Sequence, residues 1–151
     1  MAISSSNPKA VGSNICFFFQ DVKISLDNRA GLKSHLQSIF KTEGRKLDSL
    51  NCIFCTDKAL LAINRQYLKH DYYTDIITFD LSETGSVQGE IYISVDRVKE
   101  NARKLGVSFK SELHRVIFHG ILHLCGYRDK NKLEKAQIRA KEDFYLSKFL
   151  N

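Results

Sequence analysis

Short runs of β-branched and aromatic residues alternate along the chain with longer stretches whose apolar positions recur every three or four residues. ICFFFQDV (15–22) reads as a strand. In NRAGLKSHLQSIFKTEG (28–44), Leu32, Leu36, Ile39 and Phe40 share one helical stripe, and Gly44 supplies a stop. SLNCIFC (49–55) is a second strand, and Thr56 caps a helix over DKALLAINRQYL (57–68). After the polar loop KHDYYT (69–74), DIITFDL (75–81) and GEIYISV (89–95) read as strands joined by the turn SETGS. Val95, Val98, Ala102 and Leu105 then line a helix that ends at Gly106. SELHRVIFHGILHLCG (111–126) is apolar on most sides, which predicts a central, buried helix. The segment 131–149 is charged and amphipathic.

The order β-α-β-α-β-β-α-α-α predicts an α/β (α+β) fold with a mixed four-stranded sheet and about five helices. With 151 residues, the chain has the length of one ordinary domain. The polar, Ser-rich opening MAISSSNPKAVGS (1–13) reads as a flexible tail with no signal-peptide core, leaving residues 14–151 as the domain. No apolar run reaches the length of a membrane span. The net charge of +6 favours a polyanionic partner, nucleic acid or an anionic membrane face. Cys52 and Cys55 form a C-x-x-C, but no second pair exists to complete a zinc ribbon, and both fall within a strand. Together with Cys16 and Cys125 they read as free, buried thiols suited to a reducing cytoplasm.

FHGILHLCGYRDK (118–130) carries the chemistry. Four helical residues advance about 400°, so His119 and His123 point the same way and can share one metal ion. His114 lies about 140° round the helix from His119 and does not join them. Gly126 can end the helix in a left-handed turn, and Asp129 then stands ten residues after His119, where a third ligand can meet the ion. Three protein ligands with an open position form a catalytic pattern. The bland alternative is a buried helix with two ordinary core histidines. Zinc peptidases place a glutamate after the first histidine, and this chain has Gly120. A hydrolase of phosphodiesters instead needs a metal-bound water and cations for developing charge. Lys69, His70, Arg128 and Lys130 are the cationic candidates, each with a solvated surface role as its alternative.

FHGILHLCGYRDK resembles the H-G-x-L-H-L-x-G-Y-D-H signature of the YbeY family of endoribonucleases. INRQYLKHDYYTDIITFD (63–80) is similar to that family's L-N-x-x-Y-R-x-x-D-x-x-T-[DN]-V-L-S-F segment through Asn64, Tyr67, Asp71, Thr74, Asp75 and Phe79. GEIYIS (89–94) is similar to its G-D-I-x-I-S, so the resemblance covers roughly residues 14 to 146. It implies a zinc-dependent, single-strand-specific endoribonuclease with one Zn2+ per chain, held by His119, His123 and Asp129. It also implies a cytoplasmic role in processing the 3′ end of small-subunit rRNA and in ribosome quality control, with rRNA and the small ribosomal subunit as partners.

Two positions depart from the family pattern. Asp129 stands where a histidine is usual, after Arg128 in place of an aspartate. Leu68 replaces an arginine that faces substrate phosphate, leaving Lys69, His70 and Arg128 as candidates for the cationic role. Two other functions remain open from the residues: a metal-dependent peptidase, and a ribosome-biogenesis factor that keeps the metal site without cleaving.

Overall fold

The computed structural model describes residues 14–83 and 85–150. The tail expected over 1–13 lies outside the described residues. Four strands, β1 (Ile15–Phe19), β2 (Leu47–Cys55), β3 (Ile76–Asp80) and β4 (Val87–Ser94), form one sheet in the order β1-β2-β4-β3. β1 and β4 each pair parallel with β2, while β3 pairs antiparallel with β4, so the sheet is mixed as the strand-turn-strand pattern predicts. Five helices accompany it among the described residues: α1 (Arg29–Thr42), α2 (Asp57–Ile63), α3 (Val95–Leu105), α4 (Phe109–Leu124) and α5 (Lys132–Leu150).

Local chemistry sets the element ends. Thr56, Ser94 and Ser108 accept hydrogen bonds from first-turn amides of α2, α3 and α4. Asn28 does the same for α1. The helix expected over 57–68 breaks at Ile63 and continues as a single π turn, Asn64–Leu68, ending in left-handed Lys69. The buried Asn64 holds that irregular segment. Its side-chain amide donates to the Tyr72 carbonyl at 2.8 Å, and its own carbonyl accepts from the His70 amide at 3.1 Å.

The main core lies on one face of the sheet. Ile15, Leu50, Phe54, Ile91 and Ile93 meet Leu36 and Phe40 of α1 and Ile117, Phe118 and Ile121 of α4. A smaller cluster of Cys55, Leu60 and Ile77 forms under α2. The thiols of the C-x-x-C are buried and free, and burial pushes the Cys52 pKa up and that of Cys55 to about 11. Neither suits metal or redox chemistry in that state. Cys16 differs from expectation. It is exposed, because β1 is an edge strand whose outward positions have no helix over them.

α4 runs through the middle of the protein, and two glycines let it come close to the sheet. A Cβ at Gly120 would sit 2.7 Å from Ile76 Cδ1 and 2.9 Å from Ile91 Cγ2. A Cβ at Gly89 would sit 2.6 Å from Leu124 Cδ1. The missing glutamate at 120 therefore has a packing reason, since that position faces the sheet.

His114, on the far side of α4, packs against Phe118 and Phe149. Its Nδ1 bonds the Lys110 carbonyl at 2.7 Å, and its buried Nε2 has no partner among the described residues. Burial holds its pKa below the ordinary histidine value, and the same cause lowers that of His35.

Two predictions follow from this packing. Gly120→Ala is expected to lower stability by about 1–3 kcal/mol, read from urea denaturation, because Ile76 and Ile91 must yield to the new methyl. The buried neutral imidazole of His114 takes up its proton in the unfolded chain first, so its contribution is full above about pH 6.5 and fades below. Wild type is thus expected to lose stability on acidification from about pH 7 to about pH 5 relative to His114→Phe, measured by thermal melting at each pH.

Candidate metal centre and nucleic-acid groove

α4 ends in the left-handed Gly126 (φ 105°), where the Gly126 amide donates to the His123 carbonyl and the Tyr127 amide to the Leu122 carbonyl, both at 3.0 Å. The chain thus doubles back over the last turn of α4. Asn131 and Glu134 then fix the start of α5. The Glu134 amide donates to Asn131 Oδ1 at 2.8 Å, and Glu134 Oε1 accepts from the Lys130 amide at 2.9 Å. Asp129 is held between these two anchors.

The outcome is a triangle of ligand atoms. His119 Nε2 and His123 Nε2 are 3.0 Å apart, and Asp129 Oδ2 lies 3.3 Å from the first and 3.4 Å from the second. A tetrahedral ion bound at about 2.0–2.1 Å separates its ligands by about 3.3–3.4 Å, so Asp129 already stands at the right spacing and the two imidazoles need only open slightly for the three residues to hold one metal ion. Both outer ring nitrogens are engaged. His119 Nδ1 lies 2.5 Å from Glu142 Oε2 of α5, and His123 Nδ1 lies 2.8 Å from the Tyr127 carbonyl. A carbonyl and a carboxylate accept, so each Nδ1 can carry the proton, which in the neutral ring leaves each Nε2 able to offer its lone pair to a cation. Two imidazole nitrogens and a carboxylate oxygen are a donor set that could hold a metal ion. For His119 burial acts to lower the pKa, but the bond to Glu142 and the charges of Glu142, Asp129 and Asp75 outweigh it and raise it.

Glu142 is 4% exposed and also accepts from Arg115 Nη1 at 3.1 Å. Sequence reading missed it, because its 23-residue separation from His119 is set by how α5 lies on α4. The available signal is weak: Glu142 stands four residues after Ile138 and three before Tyr145, the buried positions of a helix whose apolar residues are otherwise spread around it.

Two clefts meet at the triangle. The larger, about 680 Å³, is walled by the π turn and the loop after it, including Leu68, His70 and Tyr72, and by Lys130. The smaller, about 300 Å³, runs between α4 and α5. His119, Asp129, Asp75 and Ile76 border both. Burial raises the pKa of Asp75, whose Oδ2 accepts from Asn101 at 3.1 Å. Among the cationic candidates, His70 and Lys130 face the larger cleft. His70 is stacked on Tyr72 and bonded to its hydroxyl at 2.8 Å. Arg128 points elsewhere, toward Glu134 at 3.7 Å, and Lys69 borders neither cleft.

A small α+β domain with a two-histidine, one-carboxylate centre at the end of its central helix matches known proteins throughout its length. The family model described as Endoribonuclease YbeY matches residues 16–150. A Cytophaga hutchinsonii protein named Endoribonuclease YbeY is 52% identical over 134 residues, covering 88% of this chain and 94% of that protein. One of the same name from Porphyromonas gingivalis is 42% identical over 131 residues, 87% of each chain. The solution structure of TM1509 from Thermotoga maritima superposes with a TM-score of 0.60 at 32% identity, covering 87% of this chain and 86% of the other. This chain belongs to the endoribonuclease YbeY family.

Because Glu142 fixes the tautomer and orientation of His119, Glu142→Gln is expected to weaken divalent-metal binding by about 10–100-fold, measured by competition with a chromophoric chelator.

Proposed function

We propose that this protein is a zinc-dependent, single-strand-specific endoribonuclease that trims the 3′ end of small-subunit rRNA and serves ribosome quality control in the cytoplasm, with residues 14–151 as the working domain. The observation that carries this reading is the ligand triangle of His119, His123 and Asp129 at the junction of two clefts, the larger of about 680 Å³. Two imidazoles with one carboxylate suit zinc better than magnesium or calcium, which favour all-oxygen sites. Zinc bound there supplies a Lewis acid and lowers the pKa of water at neutral pH.

The chain's own residues supply the rest. Glu142 and the Tyr127 carbonyl hold the two imidazoles in the tautomer that binds metal. Lys130 and His70, both lining the larger cleft, draw in the phosphate backbone where Leu68 carries no charge. The stack of His70 on Tyr72, which lines the larger cleft, offers a flat face to an unpaired base. Asp75 lines both clefts beside His119 and is the carboxyl group placed to exchange a proton with the departing oxygen.

Peptide hydrolysis fits less well, because position 120 faces Ile76 and Ile91 and gives no general base. A factor that binds ribosomes without cutting is kept in view by Leu68, and it parts from the nuclease reading in one assay. Wild type is expected to carry about one zinc per chain and to cut single-stranded rRNA fragments. His123→Ala and Asp129→Ala are expected to lose the zinc and at least about 100-fold in cleavage rate. Zinc binding without cleavage by wild type leaves the ribosome factor; a chain that takes up no metal removes both readings.

A further inference from the structure

The smaller cleft holds a group that the metal centre does not use. Glu112 lies seven residues before His119, two turns back on the same stripe of α4, or about 10.5 Å along the helix axis. It is 5% exposed, and its Oε1 is covered from solvent with no hydrogen-bond partner among the described residues. The neighbouring guanidinium is committed elsewhere. Arg115 gives Nη1 to Glu142 at 3.1 Å and Nη2 to Asp143 at 2.8 Å. Buried carboxylate oxygens in native proteins nearly always have donors, so a carboxylate that lines a cleft with one covered oxygen left without any marks a place where a small side-chain rotation would meet a ligand's N–H.

The rest of the cleft has matching features. Val116 of α4, Ile138 of α5 and Ile76 give it an apolar surface, Lys135 adds positive charge, and Arg139 lies 3.8 Å from Glu142, one of the carboxylates that also line it with Asp75 and Asp129. Its volume of about 300 Å³ is at the lower end of small-molecule pockets, sized for one base and not a longer segment. It shares His119 and Asp129 with the larger cleft, so a strand whose phosphate reaches the triangle has a neighbouring nucleoside within reach of it.

The edge of the base can be read from the chemistry. Guanine presents N1–H and N2–H side by side, two donors for the two oxygens of a carboxylate. Adenine and cytosine present a donor next to an acceptor. Uracil presents one donor between two acceptors, which a carboxylate repels. We propose that this cleft is a nucleobase pocket that selects guanine beside the scissile phosphate, with Glu112 as the specificity-determining residue. The proposal rests on the RNA-cleaving reading for its place in the reaction, though the binding it requires can be measured separately.

The test is calorimetric titration of the zinc-loaded protein with 5′-GMP, AMP, CMP and UMP, beside mapping of cut sites on a single-stranded RNA of mixed sequence. GMP is expected to bind about 10–100-fold more tightly than UMP, with cuts next to guanines. In E112Q the side chain offers one donor and one acceptor, so the preference is expected to move toward AMP and CMP, and the cut sites with it. Equal binding of the four nucleotides, or a preference unchanged in E112Q, overturns the pocket even if RNA is cut. Absence of RNA cleavage by wild type overturns the parent reading, and the titrations still decide the pocket. Should E112Q fail to fold, inosine 5′-monophosphate, which lacks the N2 amine, takes its place on wild type. Binding of it at least about tenfold weaker than GMP supports the pocket, and equal binding overturns it.

Discussion

The close approach of α4 to the sheet governs the rest of the molecule. Gly120 and Gly89 remove the side chains that would hold the two layers apart, and Ile76, Ile91 and Leu124 fill the contact instead. With α4 seated this low, its His119–His123 turn lies beside the start of β3, and Asp75 comes into the site. The opposite flank of α4 is left for α5, whose Glu142 reaches His119. A wider gap between α4 and the sheet would move all of these groups relative to one another. One packing decision thus sets the candidate metal centre and the shape of both clefts.

A second layer of order comes from polar groups that tie elements together. Glu43, at the end of α1, accepts from Tyr127 at 2.9 Å and from Tyr145 of α5 at 2.5 Å, with Lys141 at 3.3 Å. Burial resists its charge, but those two hydroxyls and the ammonium outweigh burial and lower its pKa. At the carboxyl ends of β2 and β4, Asp57 accepts from Ser94 Oγ at 2.9 Å and from Arg97 at 2.6 Å, joining the starts of α2 and α3. Asn64 then positions the loop that carries His70 and Tyr72.

Periodicity revealed the element order, the mixed sheet and the central helix, because core burial imposes a repeat that can be counted. The spacing of His119, His123, Gly126 and Asp129 was equally legible, since a helix and its left-handed stop translate offsets into directions. What could not be read was long-range. Glu142 meets His119 only through the packing of α5 on α4, and no local pattern announces that pairing. The break at Ile63 was missed because a π turn preserves apolar spacing while shifting its register. Gly120 was read as a chemical absence when it is chiefly a steric requirement. Of the cations named from sequence proximity, Arg128 turns toward Glu134 because its neighbour Asp129 turns toward the histidines.

Tyr127 belongs to both layers. Its carbonyl orients His123, and its hydroxyl bonds Glu43 at the end of α1. A metal ion held by the triangle and the fit of the α1–α5 seam would therefore be parts of one thermodynamic cycle. Whatever free energy such an ion lent to that seam, the seam would return to the ion as affinity. A substitution at residue 43, at the end of a different helix, can change how the protein competes for scarce metal without altering a single ligand.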